Sequence, residues 1–525
     1  VSCQYVRIYP GAYTNYRAMR ADAYTKTTAT LANNAKATTW KDQTYNNTDG
    51  YQPTAANQMT YKTNQINGNP AMVSANASNT WFEMPEQTAL RTTFWVAQDK
   101  AAAGTNYYHI LYGGGNTVYY HTGTSGQMAW TTAMPDANVQ WYKDGVAGTG
   151  AGLTYDCGVN GQANLITSTA KVIGSPISAA SISYQAGNVR SWEGPIAEII
   201  SYQQTLSAAQ INQVETYLGL KYGIHLAHDY VANDGTVLWN KTTNATYHNN
   251  VFGIGRLDCQ GLHQRQSKSL NDDVLLSVGN NNIIDANGNS SSAGNNIATD
   301  NSYLVIGDNN AELTWDMSPT VSNYNGILKR IWKVQETGTI GSVKVQFDTT
   351  LTPGFKAWLP LLGSNQNMYL VVSNDEVFTD AGDTRILMTY DTTTKTYTAN
   401  VDFTDGQFFT VATAIKAPGG VSVGLHQWLR ADDPAITTGT GVTMPMWPDT
   451  YVYDRDMNKL AGAPAINGSL NFNPIVSFNG ASSFGKNPAD NTIRDFSSIF
   501  TAGEVFGMVK TNTTTENRGD RKSVV

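Results

Sequence analysis

The sequence predicts an all-β protein built from tandem β-sandwiches, and three observations predict it. Short runs that alternate apolar and polar residues recur along most of the chain, separated by clusters of Gly, Asn and Pro. Charged residues make up only 14% of the 525 positions, below the roughly 25% usual in soluble domains, so neutral polar residues must supply the wetted surface. One series of motifs also occurs twice. Arg20-Ala21-Asp22, Trp40-Lys41-Asp42 and Asn67-Gly68-Asn69-Pro70 run through the start of the chain. Arg430-Ala431-Asp432, Trp447-Pro448-Asp449 and Asn471-Phe472-Asn473-Pro474 repeat them in the same order near its end. A repeated module with a different one between is the layout of a modular surface protein rather than of a compact metabolic enzyme.

Taken in order, residues 1–11 read as a fragment end. Val1-Ser2-Cys3-Gln4-Tyr5 has no initiator Met and nothing of a signal peptide. Residues 12–225 read as a jelly roll. Its strand-like runs include Thr93–Ala97, Tyr107–Tyr112, Thr117–Tyr120, Gln140–Tyr142 and Ala197–Ser201. Asp144-Gly145 is a two-residue hairpin signal, because Gly accepts the positive φ that such a turn needs. One short amphipathic helix is expected at about 207–222. Ser207 with Gln210 forms a capping box, Ile211, Val214 and Leu218 share one face, and Gly223 ends it. Such a helix should pack as a lid or edge cover.

Residues 226–415 read as a second β-sandwich, nearer to an immunoglobulin-like size. Its runs include Val274–Val278, Tyr303–Ile306, Ile331–Val334, Val343–Phe347, Met368–Val372 and Phe408–Ala412. The Asn-, Ser- and Gly-rich stretch from Asn280 to Asn301 is expected to be a long loop. Residues 416–420 form a linker, and 421–519 a truncated second copy of the jelly roll. Residues 520–525 match the translation of a sequencing adapter and are set aside as an artefact.

Composition also narrows the function classes. A net charge of −7 without a basic stripe argues against nucleic acid. No apolar stretch approaches 18 residues, so membrane insertion is not expected. Three cysteines, Cys3, Cys157 and Cys259, do not form a disulfide framework or a zinc pattern, although one bridge between Cys157 and Cys259 stays open.

Gly194-Pro195-Ile196-Ala197-Glu198-Ile199-Ile200-Ser201-Tyr202 followed by Leu206-Ser207-Ala208-Ala209-Gln210 resembles the closing strand and short helix of laminin-G-like domains. Those domains have the concanavalin A-like lectin/glucanase fold. The stretch Tyr217 to Ile224 is similar to its continuation in large secreted proteins of gliding, type IX-secreting bacteria. There a laminin-G-like domain precedes an uncharacterised β-module, and Asn249–Arg256 and Arg330–Thr337 resemble that module. The resemblance implies an extracellular or cell-surface location and a structural acid at Glu198. It names no function, since this fold hosts both binders and enzymes.

Candidate sites follow from residue chemistry. Asp42 and Asp49 lie seven apart after Trp40, and Asp449 and Asp456 keep that spacing after Trp447. Clustered hard oxygens suit Ca²⁺, and these four are the candidate ligands. The competing reading is that Asp and Asn build turns through side-chain-to-backbone bonds. The acidic run Asp375, Glu376, Asp380 and Asp383 lacks fixed calcium-loop spacing and reads as a solvated loop. His225-Leu226-Ala227-His228-Asp229 reads as a domain junction, with no clear third ligand for a metal.

Aromatic residues concentrate in the first domain. Tyr107, Tyr112, Tyr120, Trp130 and Trp141 are the candidate glycan platform, although such residues also fill β cores. Glucanases of this fold class use a Glu-x-Asp-x-x-Glu strand motif, which is missing. Glu83 with Glu86, and Glu193 with Glu198, are the nearest pairs. The expectation is therefore an extracellular, non-catalytic binding or adhesion module recognising glycans or surface ligands. A polysaccharide-degrading enzyme and a structural stalk are the alternatives.

Overall fold

The computed structural model describes residues 16–20, 31–44, 46, 48–98, 107–113, 116–122, 127–129, 139–148, 153–154, 162–170, 177–183, 191–270, 276–280, 296–316, 324, 326–350, 366–378, 382–421, 425–450, 456–485 and 507–508. They form an all-β molecule of antiparallel sheets with one α-helix, divided into two compact units at Ala414/Ile415. No helix among the described residues is long and apolar enough to cross a membrane.

The first unit opens with a sandwich of two eight-stranded sheets. The rear sheet runs in the order Val146–Ala147, Val139–Lys143, Ala163–Ala170, Thr92–Gln98, Gly194–Tyr202, Asn69–Ser74, Thr60–Ile66, with Tyr16–Arg20 also paired to Gly194–Tyr202. The front sheet runs Leu153–Thr154, Gln127–Ala129, Asn116–Thr122, Tyr107–Gly113, Ile177–Ile182, Phe82–Leu90, Gly50–Tyr51, Thr39–Trp40. Between the sheets lies an aromatic core that includes Trp40, Phe82, Trp95, Trp141 and Trp192.

The rear sheet is buried on both faces. Trp95, Ile166 and Ile199 point into the core between the sheets. Their strand neighbours Phe94, Val96, Leu165 and Ile200 join a second core outside the sandwich. That core includes Leu218, Leu220 and Tyr222 of helix α1 (Ala208–Tyr222) together with Tyr230, Trp239, Val251 and Val305 of the next module. Strands covered twice are buried almost throughout, as Thr92–Gln98 and Gly194–Tyr202 are, and their buried polar residues are hydrogen-bonded, Thr92 to Gln204, Thr93 to Ser168 and Glu198 to Lys221.

Helix α1 starts and stops as its sequence dictates. The Ser207 hydroxyl accepts from the Gln210 amide, the Gln210 side chain accepts from the Ser207 amide, and Gly223 closes the end at φ 67°. A Cβ at Gly223 would lie 2.2 Å from the Lys268 carbonyl oxygen, so both conformation and space demand glycine. The expectation of a lid is corrected here. Tyr217 through Tyr222 are all buried, which makes the last turns an interface helix between two sandwiches.

The second sandwich stacks a nine-stranded sheet on a five-stranded one. The larger holds Asn249–Leu257, Ser302–Asp308, Trp332–Thr337 and Phe408–Ile415 at its centre. The smaller runs Gln266–Lys268, Leu276–Asn280, Val343–Asp348, Thr396–Val401, Thr389–Asp391. Trp332, Phe347 and Phe409 pack together in its core, the Trp332–Phe409 pair being stacked at 5.5 Å. Asp308 and Arg330 form a buried pair at 3.0 Å, backed by an Asn250 amide donated to the same carboxylate. Cys259 is disulfide-bonded, and the other two cysteines, Cys3 and Cys157, lie outside the described residues.

In the second unit, the strands Met446–Trp447, Met457–Ala461 and Ser483–Gly485 make one sheet, and Ala465–Leu470 with Asn473–Ser477 make a hairpin. These repeat several pairings of the first unit. Trp447 pairs with Met457 as Trp40 pairs with Gly50. The Asn34 amide donates to the Tyr61 carbonyl at 2.9 Å, and the Gly441 amide to the Ile466 carbonyl at 2.8 Å. Asn473 donates its side-chain amide to the Asn471 carbonyl as Asn69 does to that of Asn67. The repeated motifs thus mark one hairpin frame used twice.

Candidate functional site

Helix α1 and the second sandwich cover the rear sheet, and among the described residues on the outer side of the front sheet Tyr51 and Glu83 are exposed while Ser181 is buried. Phe82 and Ile182 on this sheet point inward and are fully buried. Their neighbours Glu83 and Ser181 pair across the strands, and Glu83 is exposed. Strand register extends that row from Thr39 through Tyr51, Glu83, Ser181 and Tyr112 to Thr117, with Ser181 in it only 4% exposed. Tyr51 is 51% exposed, so its ring offers an apolar plane at the surface.

The expected aromatic platform is partly corrected. Trp141 is only 3% exposed and lies edge-on to Trp95 at 6.1 Å inside the core, where no ligand reaches it. Its strand belongs to the rear sheet, and alternation turned it inward. Tyr107, Tyr112 and Tyr120 lie in adjacent front-sheet strands, where Tyr107 pairs with Thr122, His109 with Tyr120 and Tyr112 with Thr117. Trp130 lies outside the described residues. Sequence reading missed Tyr51, whose only signal was its position directly after a turn-rich Asn-Asn-Thr-Asp-Gly run.

The aspartate pairs act as turn builders. Asp42 is fully buried; its carboxylate accepts from the Thr44 and Thr48 amides and from both hydroxyls. Asp49 accepts the Asp42 amide at 2.9 Å and holds Lys41 at 2.6 Å. In the second copy Asp456 accepts the Asp449 amide at 2.8 Å, and Asp449 accepts the Trp428 amide at 2.8 Å. Ca²⁺ needs six to eight oxygens facing one point. These carboxylates face N–H and O–H donors instead, and among the described residues no three His, Cys, Asp or Glu side chains converge to hold a metal.

The carboxylates weighed as catalysts are also accounted for. Glu198 is 1% exposed and accepts from Lys221 Nζ at 2.9 Å, Tyr222 Oη at 2.9 Å and Tyr217 Oη at 3.1 Å. A carboxylate so enclosed and paired holds α1 to the rear sheet and cannot reach a substrate. Glu83 is exposed on the front sheet, and Glu193 is partly buried at the start of the closing strand.

A second polar cluster joins the two sandwiches of the first unit. The Asn67–Pro70 turn is seated on the end of α1: Asn67 and Asn69 both donate to the Lys221 carbonyl, at 3.1 and 2.8 Å. Asn67 also donates to Ser267 and accepts the Lys268 amide. Glu215 of α1 is 1% exposed, accepts from Thr167 at 2.6 Å and pairs with His228 at 2.6 Å. The Ala227 amide donates to the Asp144 carbonyl at 3.0 Å. His225 and His248 lie ring to ring at 4.9 Å, and burial, then the neighbouring His248 and His228, lowers His225 to about 4.

A family described as a domain of unknown function (DUF8202) matches residues 210–407. The match begins inside α1, in agreement with a helix that packs on the second sandwich as closely as on the first. No curated protein matches the chain. A solved Paenibacillus cycloisomaltooligosaccharide glucanotransferase, complexed with cycloisomaltoheptaose, is similar over 76% of this chain and 47% of its own, at 10% identity and a TM-score of 0.12. The chain therefore spans less than half the length of that structure, and so low a score carries no argument.

Proposed function

We propose that this chain is an extracellular, non-catalytic binding module that presents the outer face of its front sheet to glycans or other surface ligands. One observation carries the reading. The rear sheet is covered twice, which leaves the front sheet as the presenting face, with Tyr51 half exposed beside the exposed Glu83. An exposed ring offers an apolar plane for a sugar face, and a neighbouring carboxylate offers acceptors for its hydroxyls. The disulfide at Cys259 favours an oxidising compartment. The burial of Glu198 under Lys221 speaks against a glucanase at the closing strand.

A glycan array probed with the full chain, with and without Ca²⁺, tests this. Binding that falls about tenfold or more on Tyr51→Ala supports it, since one stacked ring is worth roughly 1.5 kcal/mol. Silence across the array under both conditions overturns the glycan reading. A spacer role is the second reading, and the buried junction between the first two sandwiches favours it, because a stalk needs fixed angles. A spacer would bind nothing on the array, and its front-sheet variants would behave as the parent does.

A further inference from the structure

We propose that the strap formed by residues 225–229 is a pH-responsive latch between the two sandwiches of the first unit, closed in mild acid and loosened as the pH rises past neutral. The geometry is that of a three-way lock. The strap leaves α1, passes against the Asp144-Gly145 turn of the first sandwich and enters the second. Ala227 donates to the Asp144 carbonyl, and a Cβ at Gly145 would lie 2.6 Å from the His228 ring. Asp144 itself is fixed by the Leu165 strand, accepting its amide at 2.8 Å through the side chain. Glu215 stands behind the lock, bonded to Thr167 of the same sheet and to His228.

The charges around this lock respond in one direction above pH 6.5. Burial alone would lower His228, but the Glu215 hydrogen bond and charge, with the Asp229 carbonyl and carboxylate, raise it overall. Burial raises Asp144 to about 7, against the pull of the Leu165 amide and Lys143, and the nearby Glu215 adds to the rise. A raised His contributes stability that is full below its unfolded value of about 6.5 and is lost as pH climbs through its folded value. A raised Asp is stabilising while protonated and becomes a liability as pH climbs from about 4 to its folded value.

As the pH rises the lock therefore gains a negative charge at the partly buried Asp144 and loses the positive charge that His228 carries in acid beside the buried Glu215. The other groups facing the strap are Tyr142 and Lys143 from the first sandwich, with His225, Asp229, Tyr230, Lys241 and His248 from its own side and the second; Tyr230 accepts the Leu226 amide, and burial raises it, so it stays neutral throughout. His225 and His248 are held neutral, so they charge only in stronger acid and do not reverse the trend.

Amide hydrogen exchange on the full chain, corrected for the intrinsic pH dependence, tests this between pH 6 and 9. Protection of the segments 143–147 and 225–229 should fall about tenfold or more, the effect of one pKa unit. Protection of Ser302–Asp308 and Trp332–Thr337 should not change. Asp144→Asn, which keeps an acceptor for the Leu165 amide, should delay the fall to above pH 6.5, and Asp144→Asn with Glu215→Gln should flatten it. Constant protection in the parent overturns the latch. So does a fall that survives in the double variant, or one that starts at the same pH in Asp144→Asn as in the parent. If the double variant unfolds, shown by lost protection at Ser302–Asp308, the single variant decides.

Discussion

Residues 34–85 and 441–485 are two copies of one hairpin frame whose surroundings differ. Both keep the Trp that opens the frame, the Asp that accepts its partner's amide and the Asn turn with its internal side-chain bond. In the first copy Trp40 is 1% exposed and Asn67 and Asn69 are buried under α1 and the second sandwich. In the second, Trp447 is half-buried among Phe478 and Phe484, and the turn stands in solvent with Phe472 98% exposed. Local bonds belong to the repeat itself, whereas burial comes from whatever packs against it. A motif read twice in a sequence therefore predicts turn geometry well and burial poorly.

Truncating the two Trp residues should break the symmetry most. Trp40→Ala should cost about 3–5 kcal/mol in the unfolding of the first unit, because it empties a site walled by Phe82. Trp447→Ala should cost roughly 1–2 kcal/mol in the second, where solvent already covers part of the ring. Denaturant titration of the full chain followed by fluorescence compares them, and equal costs would refute burial as the difference. The Asn turns come next. Replacing Asn67 and Asn69 together by Ala should cost roughly 2–4 kcal/mol, since the Lys221 carbonyl and the Lys268 amide lose buried partners. The same double change at Asn471 and Asn473 should cost only about 1 kcal/mol, chiefly the left-handed strain that Ala meets at Asn471, φ 46°.

The aspartates should restore the symmetry. Asp42→Ala and Asp449→Ala should each cost about 1–2 kcal/mol, because both carboxylates are buried acceptors of backbone amides. Thermal melts with Ca²⁺ and with a chelator should then coincide. A Ca²⁺-dependent rise in melting temperature, lost in these variants, would restore the calcium reading.

Much of the fold was legible because it rests on local chemistry. The capping box at Ser207 and Gln210, the left-handed stop at Gly223 and the Asp144-Gly145 turn each depend on residues within one turn of each other. The site was less legible. Alternation marks two faces of a strand without saying which faces the core, so the sequence alone does not separate the buried Trp141 from the exposed Tyr51. The burial of α1 on two sides was written in Tyr217-Leu218-Gly219-Leu220-Lys221-Tyr222, which is apolar round most of the helix. Lys221 obscured it, since a lysine is rarely buried unless paired, and its partner Glu198 lies a strand away. Asn67 and Asn69 could not be read as a docking turn, because their acceptors lie more than 150 residues away.

Phe472 offers the smallest and sharpest test of the comparison. It occupies the place of Gly68 and adopts the same left-handed conformation, φ 64° against 75°. Glycine reaches that region without penalty, whereas a side chain there costs roughly 1–2 kcal/mol through its clash with the following carbonyl. The ring is 98% exposed, so no packing within the second unit offsets the strain. Phe472→Gly should relieve it but also loosen the unfolded chain by about 0.5–1 kcal/mol. The net expectation is a gain of up to about 1.5 kcal/mol in the second unit, with the first unit unchanged. Calorimetry on the full chain would resolve that shift. A loss of stability would instead mean that the Phe472 ring is held by a contact in the folded protein, and that the second turn, like the first, is seated.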